Sequence, residues 1–233
     1  MRLDKYLVEN GLVESRAKAQ DLIKEGNVLI NDKIIKKDSY NVLDTDNVKL
    51  LEVESYVSRG AYKLIEALNN FNIDVNNKVV LDVGASTGGF TDVLIKRGAL
   101  KVYALDVGEA QLHPSLINNS KVINMEKTNI LSKTFADFKD ISLITIDVSF
   151  VSLKNILPHL FTFNTPIIAL FKPQFEVGKI HMKNGVLKDE KTHKKLIKEF
   201  IDFVSINNHI VKNYTVSPIL GRDGNKEYLF YII

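Results

Sequence analysis

Two kinds of apolar spacing divide the chain. Near its start, Leu3 and Leu7 lie on one helical face, and Ser15 is placed to cap RAKAQDLIKE. There Ala19, Leu22 and Ile23 recur at helical spacing, and Gly26 is placed to end the helix. Two short strands follow, NVLI and KIIK, joined at Asn31-Asp32 (a turn less favourable than one with Gly at the second position), and the polar stretch 36–46 leads to a strand within 48–53. The pattern predicts two helices and a small hairpin sheet.

Beyond residue 57 the spacing changes. VSRGAYKLIEAL reads as a helix bridging into a second unit, and then apolar runs alternate with helical patterns: KVVLDV, VYALDV, KVINM, SLITID and PIIALF, followed by a helix over 191–206. HIVKNYTVSPI and KEYLFYII read as two closing strands. Buried apolar runs alternating with helices predict βαβ units and a parallel sheet. The expected division is 1–57 and 58–233.

Composition narrows the chemistry. The 233 residues include no Cys, which excludes a disulfide scaffold, a thiolate metal site and a cysteine nucleophile. No apolar run approaches the roughly 18 residues of a spanning helix, and MRLDKYLVEN is too polar for a signal peptide, so a cytoplasmic protein is expected. The net charge of +3 is unevenly spread: residues 1–57 hold nine basic and eleven acidic side chains, while 179–198 hold seven Lys against two acids. That run reads as a solvated face or as a phosphate-facing lid. His113, His159, His181, His193 and His209 share no metal-ligand spacing, and no metal is expected.

Between a strand and a helix, LDVGASTGGFTDVL sets backbone N–H groups and a positive helix end beside a ligand. Ser86 replaces the second glycine of a dinucleotide fingerprint, and no Gly-Lys-Ser/Thr follows, which disfavours a diphosphate. Asp106 ends the next strand, where a carboxylate accepts both ribose hydroxyls. The combination favours S-adenosyl-L-methionine over NAD.

Asp147 and Lys172 end two further strands, and Lys63 and Glu227 can converge on the same sheet edge, where open α/β sheets bind ligands. Each is a surface charge when taken singly. Together they suit transfer to a sugar hydroxyl, a poor nucleophile whose proton a positioned lysine can accept while carboxylates orient the ammonium groups. Displacement at the methyl carbon is then helped chiefly by proximity.

SRGAYKL, LDVGASTGGF, ALDVG followed by QL, DVSFVSL, FKPQFEVG and GNKEYLFY, in that order, resemble the TlyA family, known both as haemolysins and as ribosomal RNA 2′-O-methyltransferases. RLDKYL, SRAKAQDLIKEG and VLIN are similar to an S4 RNA-binding domain. The resemblance implies a small α+β S4 domain before an FtsJ-like class I methyltransferase, an α/β, Rossmann-like fold with a mostly parallel seven-stranded sheet whose last strand is antiparallel. It also implies a catalytic tetrad, Lys63, Asp147, Lys172 and Glu227, in which Lys172 accepts the proton or orients the hydroxyl. Donor contacts would come from Gly84, Ala85, Ser86, Thr87, Gly88, Gly89, Phe90, Asp106, Val107 and Asp147, with Asn129 standing where relatives carry an acid near the adenine.

For RNA, Arg2, Arg16, Lys18, Lys33, Lys36, Lys37 and Arg59 are the candidate contacts, although the first unit carries no net positive charge. Phe150 reads either as a platform for a flipped base or as a core residue. The expected activity is S-adenosyl-L-methionine-dependent methylation of a cytidine ribose in ribosomal RNA, in the large subunit alone or in both subunits, docked by the S4 unit. A membrane-active haemolysin and a non-catalytic rRNA-binding assembly factor are the alternatives.

Overall fold

A computed structural model describes residues 1–51, 56–177, 185–221 and 223–233, and the chain divides into units 1–55 and 56–233. Lys179, His181 and Lys183 of the basic run lie outside the described residues, as do the end of the third expected strand and residues 54–55 of the linker.

In the first unit, α1 (Leu3–Glu9) buries Leu3 and Leu7. The Ser15 hydroxyl accepts the Lys18 N–H at 3.3 Å to start α2 (Arg16–Glu25), and Gly26 ends it at φ 84°. The central strand β1 (Val28–Ile30) pairs antiparallel with β2 (Lys33–Ile34) and β3 (Val48–Leu50). β2 is shorter than KIIK suggested. Asn31 and Asp32 both take positive φ, 50° and 62°, in a two-residue hairpin turn that favours Gly at its second position. Polar side chains offset that mismatch. The Asn31 amide donates to Asp46 at 2.8 Å, Asn31 Oδ1 accepts the Asn47 N–H at 2.9 Å, and Lys49 reaches Asp32 at 3.0 Å.

The second unit opens with α3 (Gly60–Asn70), three residues later than the pattern suggested, because the Val57 N–H is held by Asp92 Oδ2 at 2.9 Å outside the helix. Then come β4 (Val79–Val83), α4 (Gly89–Lys96), β5 (Lys101–Leu105), α5 (Pro114–Ile117), β6 (Val122–Met125), β7 (Ile141–Ile146), α6 (Leu157–Phe161), β8 (Ile167–Phe171), α7 (Pro173–Glu176), α8 (Glu190–Ile206), β9 (Val211–Val216) and β10 (Tyr228–Ile232). The sheet order is β6-β5-β4-β7-β8-β10-β9, parallel except that β10 runs antiparallel to both its neighbours.

Both faces of this sheet are covered, which is why its central strands read as unbroken apolar runs. Val79, Leu81 and Val83 join a cluster with Phe171, Phe200 and Phe230, while Val80 faces the opposite cluster with Leu64, Phe90 and Leu94. Each fully buried aromatic or aliphatic side chain stabilises the unit by about 1.5–3 kcal/mol. The parallel strands end together, so Gly84, Asp106, Asp147 and Lys172 all follow strand ends at one edge. Because β10 is reversed, its start reaches that edge too. Tyr228 lies opposite Phe171 in the register, which sets Glu227 beside Lys172.

Candidate active site

The turn after β4 comes very close to its neighbours. Gly84 and Gly88 have φ of 84° and 95°; a Cβ on Gly84 would lie 2.6 Å from the Asp147 carbonyl oxygen, and one on Gly88 2.2 Å from Leu116 Cδ1. Ser86 also takes positive φ, 47°, stabilised because its N–H donates to Asp106 Oδ2 at 2.8 Å. Asp106 Oδ1 accepts the Gly108 N–H at the same distance, so two backbone donors fix the carboxylate and leave further lone pairs facing outward.

Ser86, Thr87 and Val107 are exposed around this turn. Ala85 and Phe90 of the same motif face inward. Both side chains are buried in apolar clusters, Phe90 against α3, so toward a ligand they offer backbone only. Gly88 and Gly89 are buried at the start of α4, and the Asn129 side chain accepts the Leu131 N–H, capping a short turn at residues 130–132.

Beneath the turn lies a group that the motifs alone do not single out. Asp82 is wholly buried on the α4 side of β4, accepting hydrogen bonds from Thr91 Oγ1 at 2.7 Å and Thr145 Oγ1 at 2.8 Å. Burial pushes its carboxyl up to about 6, the two threonines pull it down, and the Asp147 charge adds to the rise.

The expected tetrad forms two ion pairs. Lys63 Nζ lies 2.6 Å from Glu227 Oε2, and Lys172 Nζ lies 2.6 Å from Asp147 Oδ1. Both lysines are only 8 % exposed. A buried ammonium is tolerated when paired and hydrogen-bonded, and such an arrangement points to a function beyond stability. Side chains from α7 and the neighbouring loop complete the site: Ser149 Oγ accepts from Lys172 at 2.9 Å, and the Gln174 amide donates to Glu227 Oε1 at 3.2 Å. Both residues sit inside motifs noted above, but their contacts are tertiary and gave no local signal.

Phe150 stands beside this cluster. It is 92 % exposed with φ 65°, its ring 5.3 Å from that of Phe175, which removes the core reading. An aromatic ring held in water beside buried lysines can stack a planar ligand.

In the first unit, Arg2 and Arg16 are brought together by one buried carboxylate. Asp4 accepts from Arg2 Nε at 3.0 Å, Arg16 Nε at 2.8 Å and Gln20 Nε2 at 3.0 Å. The Arg2 hydrogen bond, with those of Arg16 and Gln20, holds its carboxyl well below the usual range against the cost of burial. Both arginines stay about half-exposed. Lys33, Lys36, Lys37 and, in the second unit, Arg59 are exposed or half-buried, and Lys18 is partly buried.

Among the described residues no helix is long and apolar enough to cross a membrane. The S4 domain family matches residues 1–48, and the FtsJ-like methyltransferase family matches residues 56–232. The chain is 41% identical to Hemolysin A of Brachyspira hyodysenteriae over 100% of both proteins. It is 42% identical to the 23S rRNA (cytidine-2′-O)-methyltransferase TlyA of Campylobacter jejuni, over 100% of this chain and 99% of that one. A crystal structure of a hemolysin-type protein from Lactococcus lactis shares 43% identity, with a TM-score of 0.74 over 77% of this chain and 89% of that one.

Proposed function

The chain belongs to the FtsJ-like methyltransferase family, behind an S4 domain, and from that premise we propose that it methylates the ribose 2′-hydroxyl of a cytidine in ribosomal RNA, with the large subunit as substrate. The observation that carries this reading is the pairing of Lys63 with Glu227 and Lys172 with Asp147 at the edge where the parallel strands end.

S-adenosyl-L-methionine, when bound, supplies an electrophilic methyl group on a sulfonium. The residues present fit it: Gly84 and Gly88 keep the turn free of side chains where a Cβ could not be placed, and Asp106 is oriented by two N–H groups to receive ribose hydroxyls. Gly84–Gly89 would offer backbone to the methionine portion, and Val107, exposed next to Asp106, would contact the adenosine. Asn129 retains its amide donor for the base.

Toward the acceptor, Lys172 Nζ accepts the 2′-hydroxyl proton or orients that hydroxyl, and Asp147 and Ser149 hold its ammonium form. Lys63, held by Glu227, orients the ribose. Phe150 stacks on the cytosine once it leaves its helix. Arg2, Arg16, Lys18, Lys33, Lys36, Lys37 and Arg59 contact phosphates, which makes binding salt-dependent.

Transfer of label from radioactive S-adenosyl-L-methionine to separately purified, unmethylated ribosomal subunits tests the reading. Alkali-resistant label in the large subunit is expected. Label in both subunits would overturn the narrow specificity, and label in neither, with donor binding demonstrated, would overturn the substrate.

A further inference from the structure

Four residues of one short segment each hold a different part of the acceptor side. Lys172, at the N-terminal end of α7, pairs with Asp147 and donates to Ser149. Gln174 donates to Glu227, and Phe175 packs on Phe150. The last of them, Glu176, has no part in the chemistry described above, yet both its oxygens are engaged. Ser152 Oγ donates to Oε2 at 2.5 Å, and the Leu153 N–H donates to Oε1 at 2.8 Å. Ser152 Oγ also accepts the Lys154 N–H at 3.1 Å, tying the turn that follows.

We propose that Glu176 is a positioning residue that straps the loop bearing Ser149 and Phe150 against α7, so that the acceptor side of the site is shaped before RNA arrives. The loop is held at its start by Lys172 and at its end by Glu176. Between these points Phe150 keeps a positive φ of 65°, which a bulky side chain adopts only when its surroundings enforce it. Two hydrogen bonds to a carboxylate are strong enough to do so. Without them the loop relaxes, Phe150 leaves its place over Phe175, and Ser149 leaves Lys172. The donor turn at Gly84–Gly88 and the Asp106 carboxylate stand on other strand ends and keep their geometry.

The inference rests on the proposed rRNA methylation for its kinetic consequence, and the strap itself is tested without it. Backbone hydrogen exchange is measured on the full chain for wild type, Glu176→Ala and Glu176→Gln. In Glu176→Ala the Leu153 amide should exchange at least about tenfold faster while the β4 amides keep wild-type protection. Glu176→Gln should restore much of that protection, since its carbonyl can accept the Leu153 N–H and its amide can donate to Ser152. With ribosomal subunits as substrate, Glu176→Ala should lose about ten- to hundredfold in kcat/KM, with the Kd for S-adenosyl-L-methionine within about twofold of wild type.

Wild-type exchange at Leu153 in Glu176→Ala overturns the strap. Faster exchange with unchanged turnover overturns the positioning role, as does a loss of donor affinity equal to the loss of rate. If wild type itself does not methylate subunits, the proposed substrate fails, and the exchange result still decides the strap.

Discussion

Replacing Asp82 by asparagine would measure what the interior does to a carboxylate lodged beneath the donor turn. Burial pushes Asp82 up to about 6, against 3.8 for an ordinary aspartate. Between those values the folded chain holds a proton that the unfolded chain has released. Stability from this group is therefore fully present below about pH 4 and is lost as pH rises through about 6. The interval corresponds to about 3 kcal/mol. The amide of the Asp82→Asn variant carries no titrating proton and keeps an acceptor for one threonine. Urea unfolding of both proteins, followed by circular dichroism at steps between about pH 4.5 and 7.5, gives the difference in free energy, from which all other titrating groups cancel. Over that pH range the difference should move by about 2 kcal/mol in favour of Asp82→Asn as the pH rises. A flat difference would refute the reasoning, because it would mean that the buried carboxyl titrates as an exposed one does.

Three further outcomes are expected. Lys172→Ala should abolish methyl transfer yet leave the calorimetric affinity for S-adenosyl-L-methionine within about twofold, since the lysine is placed at the acceptor; a large loss of donor affinity would contradict that placement. Gly84→Ala should lower stability by about 1–3 kcal/mol and weaken donor binding, because its Cβ would meet the Asp147 carbonyl from a left-handed backbone; an unchanged Tm with unchanged Kd would sink this. Asp4→Ala, which strips the half-exposed Arg2 and Arg16, and Gln20, of a shared acceptor, should cost the first unit about 1–2 kcal/mol, read as faster hydrogen exchange of β1 amides. Because Asp4 is held below its unfolded value, this contribution is present at neutral pH and fades on acidification below about pH 4, so acid should narrow the gap between variant and wild type.

Period and punctuation made most elements legible. Ser15 and Gly26 mark both ends of α2, and the apolar runs from KVVLDV to PIIALF became β4 to β8; in the central strands β4, β7 and β8, covered on both faces, almost no polar alternation is left to misread. The four charges of the tetrad were legible because they directly flank or face strand ends. What escaped notice depends on partners far away in sequence. Asp82 reads as a stray polar residue in an apolar strand until Thr91 and Thr145 close around it, and Glu176 reads as solvated until it meets Ser152. Phe90 sits in a motif expected to touch the donor, and the 3.6-residue turn of α4 carries its ring into the core, which no motif spacing shows. The exposure of Phe150, which no residue pattern encodes, removed the core reading.

The reversed insertion of β10 has a consequence for biosynthesis. Glu227 meets Lys63 across 164 positions of chain. Closing so long a loop is cheap in entropy, since each doubling of length adds only about 0.6 kcal/mol, but it cannot begin until the partner exists. Until the final strand emerges, β8 and β9 lack the strand that joins them, and Lys63 is left without its carboxylate. The quartet of Lys63, Asp147, Lys172 and Glu227 is therefore incomplete until β10 is seated between β8 and β9.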